Sequence, residues 1–199
     1  MRNEKVRDMA YYAIFVAIIV IMSFTPLGYI SFGGVSITLV HIPVLIAAFT
    51  MGRKGGLVAG VTMGIISMIV AWTMPKSFGD FPFRNPLCSL LPRAVFGFVS
   101  GLVAELVFKK FKNKAVSTTI VGGSSIALTA LHTVMVLPLM YVCAGWVPEL
   151  SDWVADNKVM SIIGAVFVSN GIIEMILAGI ITAPIVLVLR PVYIKGRKK

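Results

Sequence analysis

The sequence is poor in charge and in the side chains that carry most chemistry. Of its 199 residues only 13% are Asp, Glu, Lys or Arg, while 58% are hydrophobic and the mean hydropathy is +0.94. Soluble domains carry about 25% charged residues, so an ordinary soluble fold is excluded and an integral membrane protein is expected. The two cysteines, Cys88 and Cys143, lie in or beside apolar segments, which speaks against a disulfide framework or a zinc site. The two histidines, His41 and His132, have no carboxylate or cysteine three or four residues on, so neither a metal nor a cofactor is expected. The chain lacks a Walker A phosphate loop, a G-x-S-x-G elbow and an H-E-x-x-H motif. It reads as neither an ATPase nor a membrane protease, and as no enzyme of a recognisable kind. Any uphill transport must then draw on an ion gradient or a partner. Low-complexity segments and internal repeats are lacking too, which weighs against an inverted-repeat carrier.

What is abundant is apolar sequence punctuated by basic clusters. The net charge of +10 does not point to nucleic acid, because the basic residues sit between apolar runs, where membrane topology accounts for them. The stretch His41–Gly64 organises the rest: a short apolar run, a turn at Gly52-Arg53-Lys54-Gly55-Gly56, and a second run with Gly56, Gly60 and Gly64 four apart on one helix face. Such a ridge lets another backbone approach closely. Around it the chain predicts a single domain over 1–199 with six transmembrane helices, near 9–25, 40–51, 57–74, 87–108, 117–143 and 159–189. The first run lacks a small-residue cleavage site and is expected to be retained. The second is short for a span and is expected to tilt or re-enter. Residues 26–38 form an external loop or small hairpin able to cover the helices as a lid. Of 18 Lys and Arg, all but Lys76, Arg84, Arg93 and Lys158 fall on one side of this layout, which predicts cytoplasmic N- and C-termini.

Polar residues inside apolar runs are costly and therefore informative. Arg93 either snorkels outward or pairs with Asp80, or it clamps a carboxylate or phosphate with its planar fork. His41 opens the second helix, where exposed amides favour an anionic or carbonyl ligand; a structural histidine fits equally. His132 lies midway along the fifth run and is expected to bond an interior neighbour. Asn170 and Glu174 share a helix face and either stitch the bundle together or serve a substrate, with ion coupling through Glu174 as a further option. Arg84 and Asn85, between prolines, are rim contacts or a plain solvated loop. Ala10, Ala13 and Ala17 form a small-residue face for packing, inside the chain or against a partner.

These segments carry a resemblance. The alanine-marked first helix (Ala13-Ile14-Phe15-Val16-Ala17), ISFGGVSITLVHIPVLIAA, and GRKGGLVAGVTMGIISMI resemble the substrate-binding S-component of an energy-coupling factor (ECF) vitamin transporter. T-L-V-H-I-P at 38–43 and L-P-R at 91–93 are most similar to pantothenate-type members, with riboflavin-type members next. The resemblance implies a vitamin binder in a prokaryotic plasma membrane that docks on a transmembrane scaffold subunit and two ATPase subunits. It maps the docking surface onto Ala13 and Ala17, with Ala10 on the same face, and the polar residues His41, Arg84, Asn85, Arg93, His132, Asn170 and Glu174 are the expected substrate contacts. Other classes left open are a self-sufficient ion-coupled carrier and a structural membrane protein.

Overall fold

Runs of Ile, Val, Leu and Ala with few interior breaks become helices, and the punctuation between them sets their ends. The computed structural model describes residues 2–32, 35–75, 78–111, 113–150 and 171–197. Its helices are α1 (Arg2–Phe24), α2 (His41–Met51), α3 (Arg53–Thr73), α4 (Pro86–Lys110), α5 (Lys114–Ala144) and α6 (Ile172–Arg197). Short 3-10 turns cover Pro26–Gly28, Phe78–Arg84 and Pro148–Leu150. Two strands, β1 (Tyr29–Phe32) and β2 (Val35–Thr38), pair antiparallel with Tyr29 opposite Thr38 and Phe32 opposite Val35. The small hairpin anticipated between the first two helices is therefore present.

All of these helices except α2 are long and apolar enough to cross a membrane. With 11 residues, α2 rises about 16 Å, roughly half of a hydrocarbon core. It is nonetheless the most enclosed element, buried from His41 through Thr50. Outward-facing Ile14, Ile180, Leu106 and Val188 are each more than half exposed, an apolar surface suited to a membrane. The chain is thus a helical, multi-pass membrane protein.

Local chemistry explains the boundaries. Asn85 accepts a hydrogen bond from the Leu87 amide (2.9 Å) to cap α4, and Asn113 accepts from the Ala115 amide (3.0 Å) to cap α5. Between α2 and α3 the chain turns at Gly52, whose φ of +78° favours glycine. Beside it Arg53 and Glu105 pair at 2.9 Å. Arg190 of α6 donates to the Phe49 carbonyl at 2.7 Å near the end of α2 and lies 3.6 Å from the Phe108 ring centre, where a cation complements the helix C-terminus.

The tightest packing is between α3 and α4, along the glycine ridge. A Cβ at Gly56 would run into the carbonyl of Gly97, and one at Gly97 into that of Gly56. One at Gly60 would strike the Arg93 carbonyl, and one at Gly101 the backbone of Arg53. Ser89 Oγ reinforces the contact by donating to the Gly64 carbonyl at 2.8 Å. Because the opposing atoms are backbone, they cannot swing aside as a side chain would. Gly97→Ala is expected to lose about 1–3 kcal/mol of stability, seen as a lower thermal unfolding midpoint in detergent. Gly123→Ala, on α5 with nothing within 4 Å of an added Cβ, should leave the midpoint unchanged or raise it; equal losses at both sites would refute the ridge as the binding contact.

Candidate functional site

The site begins with a proline. In an unbroken helix the amide of residue 92 would donate to the carbonyl of residue 88; Pro92 has no N–H, so the Cys88 carbonyl loses its helical donor. Arg93 Nη1 supplies a replacement at 2.6 Å, and the guanidinium carbon lies 4.3 Å from the Phe83 ring centre, a cation–π contact. At 5% exposure the side chain does not snorkel to solvent. One hydrogen bond and one ring leave most of its donors uncommitted, and Nε is buried without a hydrogen-bond partner among the described residues.

His41 and His132 approach the same region from α2 and α5. His41 is 2% exposed. His132 packs its ring 4.7 Å from that of Phe96 and lies within electrostatic reach of both Arg93 and His41. The Nε2 atoms of both imidazoles are buried with no hydrogen-bond partner among the described residues, so the neighbour that meets His132 is the Phe96 ring rather than a hydrogen-bonding group at Nε2. Thr129, one turn before His132 on the same helix face, likewise holds a buried Oγ1 without a partner. The sequence reading missed Thr129; its three-residue spacing from His132 was the available signal. A buried cation within electrostatic reach of two imidazoles with unpartnered nitrogens offers donors and acceptors that suit a small, polar, anionic molecule.

The hairpin is tethered over this end of the bundle. The Thr38 amide donates to Glu174 Oε1 at 2.6 Å, joining β2 to the first turn of α6 across 136 residues of sequence. The Leu39 amide donates to the Gly28 carbonyl at 2.9 Å and closes the hairpin base. Tyr29 of β1 feels Arg93 as well: burial pushes its phenol above the ordinary value, Asp80 adds to that shift and Arg93 opposes it. Glu174 is thus occupied at the base of the hairpin.

Arg84 and Asn85 do structural work at the rim. Arg84 Nε donates to the Ala71 carbonyl at 3.2 Å, and the guanidinium lies 4.3 Å from the Phe81 ring centre and 5.1 Å from that of Trp72. Asn85 is the α4 cap. Both line a cavity of about 300 Å³ with Trp72, Cys143 and Trp146, so the loop is organised rather than merely solvated. Asn170 lies outside the described residues. Ala10, Ala13 and Ala17 are exposed, while Phe15 and Ile19 supply the buried face of α1; within the described structure, the alanine face is not consumed by internal packing.

Glu174→Ala should free the Thr38 amide. Hydrogen exchange at that amide is expected to accelerate about tenfold or more, the equivalent of a lost charge-assisted bond, while the amides of α3 stay protected. Unchanged exchange at Thr38 would show that the hairpin is held by other means.

Comparison with known proteins places this geometry in context. Residues 7–186 match a family model described as the substrate-specific component of the ECF transporter. The chain is 28% identical over 200 residues to the pantothenate transporter PanT of Leuconostoc mesenteroides, covering 96% of each chain. It is 28% identical over 201 residues to the pantothenic acid transporter PanT of Lactococcus lactis subsp. cremoris, covering 94% of this chain and 95% of the relative. The family and both relatives are transporters rather than enzymes. With nearly its whole length matched, the chain belongs to the substrate-specific components of ECF transporters, the family of vitamin-uptake S-components.

Proposed function

We propose that this protein captures pantothenate at the outer face of a prokaryotic cell membrane and delivers it through a transmembrane scaffold subunit driven by two ATPase subunits. The observation that carries the reading is the buried Arg93, held by the Pro92-freed carbonyl beside His41 and His132. Pantothenate presents a carboxylate, an amide and hydroxyl groups. Arg93 takes the carboxylate, and His41, His132, Asn85 and Asn170 serve the amide and hydroxyls. Glu174 holds the hairpin as a lid, and Arg84 shapes the rim. Two full-length relatives named as pantothenate transporters support the choice of vitamin.

In this reading the short α2 counts as a sixth membrane helix, and both termini and the Gly52 turn are cytoplasmic, as the basic residues favour. A neutral flavin would leave the buried Arg93 without a carboxylate to pair, and one face each of Phe83, Phe81 and Trp72 is already met by an arginine. A Glu174-coupled carrier is disfavoured because that carboxylate accepts from Thr38. The alanine face of α1 is the docking surface for the scaffold, where small side chains permit close helix approach.

Thermal unfolding of the purified chain with pantothenate, riboflavin, folate, thiamine or biotin, one at a time, tests the substrate. Pantothenate at about a hundred times its dissociation constant should stabilise the protein by about 2.7 kcal/mol, and the others should not; stabilisation by riboflavin instead would overturn the assignment. Ala13→Trp should preserve pantothenate binding and abolish uptake with the partner subunits. Equal loss of binding and uptake would refute a dedicated docking face.

A further inference from the structure

A second cavity lies at the opposite end of the bundle from the hairpin, between the end of α4, the start of α5 and the last turns of α6. Its volume is about 810 Å³, within the range of small-molecule sites. Its surface is divided in two. Val121, Ala183, Val186 and Leu187 form an apolar wall on two membrane helices, and Lys114, Arg190 and Lys195 set three cations along one rim. Among the described residues no carboxylate lines it. The nearby Glu105 already pairs with Arg53 at 2.9 Å.

We propose that this cavity binds an anionic phospholipid, with the phosphate at the cationic rim and the upper acyl chains along the apolar wall. Charge complementarity and the split lining argue for an amphiphile over a free anion, which has no use for the wall. Basic pockets between membrane helices recognise anionic headgroups in this way. Arg190 is the fixed point, since its bond to the Phe49 carbonyl and its contact with Phe108 hold the guanidinium in place. Lys114 and Lys195 are exposed and free to close on a phosphate. Lys114 opens the 31-residue α5, so the positive end of that helix adds to the field. The hydroxyls of Ser117 and Thr118 donate to the Lys114 carbonyl, at 3.0 and 2.7 Å, which leaves recognition to the cations. A lipid seated here touches α4, α5 and α6 together and, through Arg190, the end of α2.

The test is native mass spectrometry of the full chain in detergent, titrated separately with phosphatidylglycerol, phosphatidylcholine of the same acyl chains, and soluble glycerol phosphate. Phosphatidylglycerol should bind at least about fivefold more tightly than phosphatidylcholine. Each of Lys114→Gln and Lys195→Gln should weaken it about fivefold, without moving phosphatidylcholine binding or the lipid-free unfolding midpoint. Lys114→Arg should retain the preference. Equal binding of the two lipids, or a double Gln variant that keeps the preference, overturns the proposal. Glycerol phosphate binding as tightly as phosphatidylglycerol also overturns it, in favour of a free-anion site.

Discussion

The structure depends on how closely α3 and α4 can approach. At Gly56, Gly60, Gly97 and Gly101 no side chain stands between the two backbones, and a single methyl group at any of them would strike main-chain atoms of the other helix. In a membrane the hydrophobic effect gives little reason for helices to associate, so this kind of contact must come from dispersion and backbone complementarity. The pair then acts as a rigid plate. The buried α2 packs on it, α1 lies along α3, and α5 contacts α4.

That plate carries the candidate site. The Arg93 carbonyl faces Gly60 across the ridge, so the residue that brings a charge into the membrane is also locked into the tightest helix contact. Its side chain is steered by the residue before it: Pro92 removes one helical donor, and the guanidinium replaces it at the Cys88 carbonyl. A cation costs several kcal/mol to bury. Here a carbonyl and an aromatic face offset part of that cost, while Nε is buried with no hydrogen-bond partner among the described residues. His132 of α5 lies within electrostatic reach of both Arg93 and His41 of α2, and the hairpin is fastened by a carboxylate on α6.

Much of this was legible in the chain. The apolar runs gave α2 to α5 to within four residues at each end, while α1 begins seven residues earlier and α6 ends eight residues later than expected, and the expected stretch 159–170 lies outside the described residues. The four-residue glycine spacing gave the ridge, and the expense of Arg93 in an apolar run marked it at once. The hairpin followed from turn residues and short apolar stretches. What sequence could not supply was partnership across distance. Glu174 and the Thr38 amide are 136 residues apart, and nothing local says that a carboxylate in α6 holds a strand. Arg190 reads as part of a basic tail, yet it bonds the end of α2. Asn85 sits in a loop pattern that suits a rim contact, and its cap role appears only once α4 is seen to begin at Pro86. The proline-freed carbonyl was readable in principle, since Pro92 and Arg93 are adjacent, but it required knowing that the helix continues through the proline.

The central claim is that Arg93 reads the carboxylate of pantothenate. The most direct measurement is a binding cycle that pairs the native chain and Arg93→Gln with pantothenate and with panthenol, the analogue bearing an alcohol in place of the carboxylate. If the charges meet in the buried site, either change alone should cost about 2–5 kcal/mol, and making the second after the first should cost little more. Independent, additive losses, or an Arg93→Gln variant that binds pantothenate as tightly as the native protein, would contradict the account.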